Sequence, residues 1–239
     1  MPDRQPATER IPRLQVKICG LQDPGQAAAI AALGADAIGV VAVPGSPRFL
    51  PADQRPALFA AARGARPDCQ GVLVVADPQD TALSDLLPSK GHRVLQLHGT
   101  ETPQRCRELR RALGSEIVLW KALRIRSVED LHRSEEYWGV VDALLLDAWV
   151  PDQLGGTGRQ IPIHLLENFQ PPLPWWLAGG IRPETLEAVL GSVTPTGLDA
   201  SSGVEDRPGW KNLERVSSLL AGVKQSEKTL DQPAERGSP

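Results

Sequence analysis

The sequence is poor in cysteine and has no histidine pair suited to a metal. Its 239 residues include three cysteines, Cys19, Cys69 and Cys106, spaced too widely for a disulfide scaffold or a Cys-x-x-Cys zinc site. No two histidines have the spacing of metal ligands. These absences predict a protein of a reducing compartment, the cytoplasm, with no metal site.

An excess of charge of one sign is also lacking. Lysine and arginine number 26 against 29 acidic residues, the net charge is −3, and no basic tail or stripe is present. Residues 1–13 hold no apolar signal segment, and the prolines of the least charged stretch, residues 160–181, exclude a continuous membrane helix. We therefore predict neither a nucleic-acid partner nor a membrane partner.

Glycine and proline, by contrast, are abundant at 22 residues each, and they mark turns between many short elements. Hydrophobic residues make up 41% of the chain, which is enough for a packed core. Eight short β-rich apolar runs each end in a polar residue or glycine, and segments of helical character lie between them. The runs are 15–20, 37–43, 70–77, 94–99, 117–125, 143–148, 175–180 and 197–201.

The helical spacing of apolar residues is clearest over 105–114, 185–190 and 210–223. It is weakest over 161–169. Eight strand–helix units predict an α/β protein, a single (β/α)8 TIM barrel with an all-parallel eight-stranded sheet. An open doubly wound sheet is the alternative, although no Gly-x-Gly-x-x-Gly follows the first run.

The domain boundaries follow from the same pattern. The barrel is expected to span residues 14–224, which contain all eight apolar runs and the last helical pattern. Residues 1–13 form a polar N-terminal extension, and the polar residues 225–239 are expected to be a disordered tail.

Two residues at strand ends have the chemistry of proton transfer. Cys19 ends the first run on the same strand face as Lys17, and a thiolate there could act as a base or nucleophile if positive groups lower its pKa. Asp147 ends the sixth run, where a carboxyl group at a barrel mouth suits general acid chemistry. The alternatives are a buried thiol that acts as a small hydrophobe and an aspartate that caps a loop. Position alone favours the hydrophobic interpretation for Cys19 and the catalytic one for Asp147.

Turns with glycine or serine after the last two strands are candidates for phosphate binding. Gly179 and Gly180 follow the seventh run, and Ser201 and Ser202 follow the eighth, where barrels often bind phosphate with backbone N–H groups. The alternative is a pair of tight turns. A further loop, GGTG with Gly156 in it, could close over a ligand, although such loops are commonly plain connections.

Other polar residues at strand ends are candidates for substrate binding: Arg48, Gln96, His98 and Asp199. Arg48 could clamp a carboxylate or phosphate from a proline-stiffened loop, or be a solvated surface arginine. A lone histidine in such a place is more often structural than catalytic. Lys17 and Lys121 are predicted to point inward and pair with carboxylates, and we assign neither a catalytic role.

Taken together, these motifs resemble the phosphoribosylanthranilate isomerases of tryptophan biosynthesis. The matching blocks run in family order and cover nearly the whole chain except its two ends, and KICG together with DASSGVE is the most specific combination. The blocks are VKICGLQD (16–23), GADAIGVV (34–41), SPRFL (46–50), LQLHGTE (95–101), WKALRI (120–125), LLLDA (144–148), GGTG (155–158), LAGGIRPE (177–184) and GLDASSGVEDRPGWKN (197–212).

The resemblance implies a (β/α)8 barrel without metal or organic cofactor that acts, as a monomer or homodimer, on a small phosphorylated substrate. The implied reaction is the Amadori rearrangement of N-(5′-phosphoribosyl)anthranilate to 1-(2-carboxyphenylamino)-1-deoxyribulose 5-phosphate. Cys19 would be the general base and Asp147 the general acid. Arg48 would contact the anthranilate, and Asp199 would orient the substrate. The implied phosphate-binding residues are Gly156, Gly179, Gly180, Ser201 and Ser202.

Three departures from the family pattern concern the pocket around the anthranilate ring. The second strand reads GVVAV (39–43) where aromatic residues are common, Gln22 replaces a usual threonine, and residues 159–164 lack an aromatic–acidic pattern. None of them touches the proposed acid and base.

Two other functions stay open. One is a related enzyme on the same fold, either the sister isomerase of histidine biosynthesis, which has an aspartate where Cys19 stands, or a lyase that needs lysines at strand ends. The other is a non-catalytic phosphate-binding barrel with a decayed pocket.

Overall fold

Eight parallel strands close into a barrel. The computed structural model describes residues 13–148 and 161–230. The strands are β1 (Gln15–Cys19), β2 (Ala37–Val41), β3 (Gln70–Val75), β4 (Val94–Leu97), β5 (Val118–Ile125), β6 (Ala143–Ala148), β7 (Trp175–Ala178) and β8 (Gly197–Ala200). Each strand pairs in parallel with the next, and β8 pairs with β1, so the sheet has no edge. The predicted barrel is confirmed, and the open doubly wound alternative is wrong.

Helices cover the outside of the sheet. They are α1 (Pro24–Leu33), α2 (Arg55–Ala65), α3 (Pro103–Leu113), α4 (Val128–Arg133), α5 (Leu186–Leu190) and α6 (Leu213–Leu230). Two of them begin with a side-chain cap followed by proline, because Asp23 accepts the Gln26 N–H of α1 and Thr102 accepts the Arg105 N–H of α3. Within the described ranges, no helix is both long and apolar enough to cross a membrane.

Some connections are less helical than the sequence pattern indicates. Between β3 and β4 the chain forms two short 3₁₀ segments, Asp80–Leu86 and Pro88–Lys90. The segment expected to be helical over 161–169 forms a single 3₁₀ turn, Ile163–Leu165. Pro88, which begins the second of the two segments between β3 and β4, has no backbone N–H to donate, and this limits the length of a helix there.

The last helix is displaced relative to the prediction of 210–223. Trp210–Lys211 is a short strand, β10, that pairs antiparallel with β9 (Glu205–Arg207). The helix begins at Leu213 because the Asn212 side chain accepts the N–H of Arg215 and caps it.

The same helix runs on to Leu230, so residues 225–230 are helical rather than part of a tail. A contact between distant parts of the chain accounts for the difference, since the Glu227 carboxylate accepts the backbone N–H of Leu14 at 2.8 Å. The rest of the predicted tail and residues 1–12 lie outside the described residues.

The sheet separates two apolar cores. The larger core lies between the strands and the helices and includes outward-facing residues such as Val16 and Ile18. The smaller core fills the barrel interior, where the rings of Trp120 and Trp176 pack with their centroids 4.6 Å apart and their planes tilted by 34°. Successive residues of a strand face opposite sides of the sheet, so the inward position of Cys19 follows from the outward position of Ile18.

Packing in the interior is tight beside Trp176. Gly197, at the start of β8, lies so close to this ring that an added Cβ would sit 2.5 Å from its carbons. We expect Gly197→Ala to lower the free energy of unfolding by about 1–3 kcal/mol, because the extra methyl group overpacks the interior. Urea unfolding followed by circular dichroism measures the change.

The matched control for this prediction is Gly64→Ala in α2. Among the described residues, nothing lies within 4 Å of a Cβ built at Gly64. Alanine there should raise the free energy of unfolding by about 0.4–1 kcal/mol, because it reduces the entropy of the unfolded chain. Equal unfolding midpoints for Gly197→Ala and the parent would contradict the packing described here.

Candidate active site

A single cavity at the carboxyl end of the barrel gathers the polar residues that the sequence singled out. It encloses about 720 Å³ including its open mouth. Every predicted site residue within the described part of the chain lines it: Cys19, Arg48, Gln96, His98, Asp147, Gly179, Gly180, Asp199, Ser201 and Ser202. Gly156 and its loop lie outside the described residues.

A buried ion pair forms the floor of the cavity. Lys17 on β1 and Asp199 on β8 are direct partners in the sheet register, so both point inward side by side. The Lys17 Nζ donates to Asp199 Oδ2 at 2.8 Å, and both residues are buried. Burial opposes the charge on Lys17, but the Asp199 carboxylate outweighs it and raises the lysine pKa. The inward position of Lys17 and its pairing with a carboxylate are as predicted, and the pairing favours its charged form.

The second carboxylate oxygen of Asp199 can accept a hydrogen bond from a bound ligand. Among the described residues, Asp199 Oδ1 is buried and has no hydrogen-bond partner. Burial raises the pKa of this carboxyl group, the Lys17 charge counteracts the rise, and the nearby Asp147 adds to it. An unsatisfied carboxylate oxygen at a cavity wall suits a hydroxyl donor from a ligand.

Gln96 and His98 connect this floor to Asp147. Lys17 Nζ also donates to Gln96 Oε1 at 3.0 Å, and Gln96 Nε2 lies 2.9 Å from His98 Nδ1. On its other side, His98 Nε2 lies 3.4 Å from Asp147 Oδ2. Asp147 Oδ1 accepts the N–H of Ala148 at 2.9 Å, which fixes the carboxyl group at the end of β6.

The Cys19 thiol shares its space with the Lys17 side chain. Gly39 on β2 leaves room for both, because an added Cβ there would lie 2.7 Å from Cys19 Sγ and 3.0 Å from Lys17 Cε. Burial raises the pKa of Cys19, while the charges of Lys17 and Lys211 oppose that rise. Burial thus favours the neutral thiol, whereas the charges of the two lysines favour its thiolate.

Arg48 is not a solvated surface residue, since it makes a bidentate ion pair with Glu205 of β9. Its Nε lies 2.9 Å from Oε1 and its Nη2 lies 2.6 Å from Oε2. Lys211 of β10 donates to the same Oε1 at 2.5 Å. Burial opposes ionisation of Glu205, but these partners hold its pKa below the ordinary value. Two cations thus share one carboxylate beside the cavity.

Glu205 and Lys211 are residues that the sequence reasoning missed. Both stand in the block GLDASSGVEDRPGWKN, but nothing in their spacing indicated that a β9–β10 hairpin would bring them together.

Lys121 was predicted to point inward, and this is wrong. On β5 it lies between Trp120 and Ala122, which face the barrel interior, so its side chain lies on the helix side of the sheet. There its Nζ donates to Glu101 Oε2 at 2.8 Å.

The two turns proposed for phosphate line the same side of the cavity. Gly179 and Gly180 have φ values of 87° and 64°, a left-handed conformation that favours glycine. The Ser201 hydroxyl donates to the Cys19 carbonyl at 3.1 Å, which ties the β8 turn to the end of β1. Ser202 begins a 3₁₀ turn, Ser202–Val204, that follows directly.

Two of the three departures from the family pattern can be located in the structure, Gln22 and the second strand. Gln22 reaches under the Arg48 loop, and its Nε2 donates to the carbonyls of Pro47 and Phe49 at 3.3 and 3.0 Å. Val41 and Val43 line the cavity where aromatic residues are common. Within residues 13–148 and 161–230, no group of three or more His, Cys, Asp or Glu side chains is arranged to hold a metal.

Comparison with known proteins agrees with this geometry. The model of the N-(5′-phosphoribosyl)anthranilate (PRA) isomerase family matches residues 16–221. The chain belongs to this family. It is therefore an isomerase of tryptophan biosynthesis whose substrate is a small phosphorylated molecule.

Individual relatives support the assignment over almost the full length of this isomerase. The N-(5′-phosphoribosyl)anthranilate isomerase of Thermosynechococcus vestitus is 44% identical over 211 residues, which are 88% of this chain and 90% of the relative. The solved phosphoribosyl anthranilate isomerase of Thermotoga maritima superposes with a TM-score of 0.78 at 26% identity, over 89% of this chain and 99% of that one.

A further solved isomerase of this family is complexed with reduced 1-(o-carboxyphenylamino)-1-deoxyribulose 5-phosphate. It matches with a TM-score of 0.73 at 25% identity, over 89% of this chain and 99% of that one.

The position of Cys19 beneath the cavity makes its reactivity dependent on pH. We expect alkylation of Cys19 by iodoacetamide to accelerate around a midpoint above the ordinary thiol value of about 8.5, because burial raises its pKa. The variant Cys69→Ala/Cys106→Ala removes the other two thiols, so that mass spectrometry reports Cys19 alone. A midpoint below that of free N-acetylcysteine would show that the lysine charges outweigh burial.

Proposed function

We propose that this isomerase carries out the Amadori rearrangement of N-(5′-phosphoribosyl)anthranilate with Asp147 as general acid and Cys19 as general base. The observation that supports these roles is that both side chains line one cavity, Asp147 from β6 and Cys19 from β1. The turns proposed for phosphate follow β7 and β8, which lie between β6 and β1 in the closed barrel, and they line the same cavity. The proposed reaction needs no metal or organic cofactor, because the protonated imine that forms in its first step accepts the electron pair.

The first step is opening of the ribose ring. Asp147 in its acid form gives a proton to the furanose oxygen, the bond from C1′ to that oxygen breaks, and the anthranilate nitrogen lone pair forms a C1′=N bond. The product is a protonated imine and an Asp147 carboxylate. The positive nitrogen draws electrons from C1′ and makes the C2′ proton acidic.

The second step removes that proton. The Cys19 thiolate takes the C2′ proton, and the electron pair moves into a C1′=C2′ bond and neutralises the imine nitrogen. The resulting enolamine tautomerises to the ketone. A thiolate whose pKa is raised by burial is a stronger base, and the ammonium groups of Lys17 and Lys211 limit the cost of forming it.

The remaining residues bind the two ends of the substrate. Gly179, Gly180, Ser201 and Ser202 offer backbone N–H groups to the phosphate, and Ser202 also offers its hydroxyl. Arg48, which also lines the cavity, binds the anthranilate carboxylate, and the buried Asp199 Oδ1 accepts a ribose hydroxyl. Gly156 is proposed for the phosphate by resemblance alone.

The sister isomerase activity of histidine biosynthesis is the second candidate on this fold. Cys19 in place of an aspartate argues against it, and separate assays with both phosphoribosyl substrates decide between them. The cytoplasmic location and the state of monomer or homodimer stay predictions.

Substitution of either proton-transfer group should remove most of the turnover. We expect Cys19→Ala and Asp147→Asn each to lower kcat by about 10²–10⁴-fold, the usual contribution of a positioned acid or base. The loss of phosphoribosylanthranilate fluorescence measures turnover, and circular dichroism shows that the fold is kept.

The matched controls are Cys69→Ala, a buried thiol in the outer core, and Asp142→Asn, directly before the amino end of β6. Both should keep kcat near that of the parent. Full activity in Cys19→Ala or Asp147→Asn would overturn the role assigned to that residue.

A further inference from the structure

A continuous line of polar side chains runs through the barrel interior from Asp199 to Asp147. Lys17 donates to Asp199 and to Gln96, Gln96 meets His98, and His98 faces Asp147. All five residues are buried. Buried polar groups of this kind must match donors with acceptors, so the direction of each hydrogen bond can be deduced from its neighbours.

Lys17 determines how the Gln96 amide is turned. An ammonium group has three donors and no acceptor, so the Gln96 atom 3.0 Å from Lys17 Nζ must be the carbonyl oxygen. The Gln96 NH₂ group therefore points away from Lys17, toward His98. The opposite orientation would place two donors against each other in a buried site.

The Gln96 amide in turn determines where His98 carries its proton. The NH₂ group lies 2.9 Å from His98 Nδ1 and donates to it, so Nδ1 is the unprotonated nitrogen. The neutral ring then holds its proton on Nε2. Among the described residues, Nε2 makes no hydrogen bond, and Asp147 Oδ2 lies at a distance of 3.4 Å from it. This is longer than an ordinary hydrogen bond, but bonds used in catalysis often shorten when the substrate binds.

We propose that Gln96, oriented by Lys17, is a positioning residue that fixes His98 as the Nε2–H tautomer and so directs an N–H group at Asp147. The assignment of the tautomer stands on the hydrogen-bond geometry alone. Its effect on the reaction rests on the proposed role of Asp147.

The directed N–H has a specific use in the ring-opening step. When Asp147 gives up its proton, its Oδ1 already accepts the Ala148 N–H, and Oδ2 needs a donor for the new negative charge. His98 Nε2–H supplies that donor. The other tautomer would present a lone pair to the carboxylate and would repel it, so a random tautomer would slow the step even though the ring stayed in place.

The tautomer is measured directly by ¹⁵N NMR of the full-length protein labelled at histidine. Correlation of ring protons with Nδ1 and Nε2 separates the two tautomers, because an unprotonated nitrogen resonates far downfield of a protonated one. The chain has four histidines, and the signals lost in His98→Gln assign His98. We expect an unprotonated Nδ1 and a protonated Nε2. A protonated Nδ1, or equal populations, would overturn the proposal without any variant.

Two substitutions test whether Gln96 is the cause. Gln96→Leu removes the donor, so the His98 signals should move toward a mixture of tautomers. Gln96→Glu places an acceptor against Nδ1, so a proton should appear on Nδ1. Unchanged His98 shifts in a folded variant would overturn the proposal. The exposed Gln104→Leu is the matched control and should leave the His98 signals as they are.

The kinetic test separates positioning from mere support of the fold. We expect Gln96→Leu to lower kcat about tenfold, as for the loss of one hydrogen bond to an ionised group, with KM little changed. An unchanged kcat together with a shifted tautomer would overturn the effect on Asp147. If Asp147→Asn kept full activity while His98 showed the expected tautomer, the proposed function would fail and the tautomer assignment would stand.

Discussion

The buried ion pair between Lys17 and Asp199 is the constraint on which the site depends. Burying either charge alone would be strongly unfavourable, and the strand register makes each the neighbour of the other. The pair then imposes order on its surroundings. Lys17 turns the Gln96 amide and brings a positive charge near Cys19, while Asp199 keeps one oxygen for a ligand. The proposed proton-transfer groups, Cys19 on β1 and Asp147 on β6, are thus organised by a contact between β1 and β8.

A second cluster places positively charged side chains beside the cavity. The whole chain has a net charge of −3, so the field of the protein does not attract a phosphorylated carboxylate. Lys17 is neutralised by Asp199, but Arg48 and Lys211 share the single carboxylate of Glu205. Positive charge at this wall, next to the turns that end β7 and β8, therefore comes from Arg48 and from Lys211, although burial lowers the pKa of Lys211 against the opposing effect of Glu205. A rigid, bidentate arginine there also limits the orientations that a bound anion can adopt.

The barrel and the strand-end residues of the candidate site could be predicted from the sequence. Alternation along β1 predicts that Cys19 points inward beside Lys17, and the position of Asp147 at the end of an apolar strand places it at the barrel mouth. Contacts between distant segments could not be predicted. Glu205 reaches Arg48 only because β9 and β10 form a hairpin, and residues 225–230 are helical beside a contact with Leu14. Lys121 was misplaced because a buried lysine finds a carboxylate on either side of a strand, and here Trp120 occupies the interior instead.

The most direct test of the central claim traps the intermediate between the two proton transfers. Cyanoborodeuteride reduces the imine and places deuterium at C1′, which mass spectrometry and NMR locate. If Asp147 opens the ring and Cys19 acts afterwards, Cys19→Ala should accumulate imine and give C1′-deuterated product, whereas Asp147→Asn should give no more than the enzyme-free background. Enhanced trapping in Asp147→Asn and none in Cys19→Ala would contradict the assignment of acid and base.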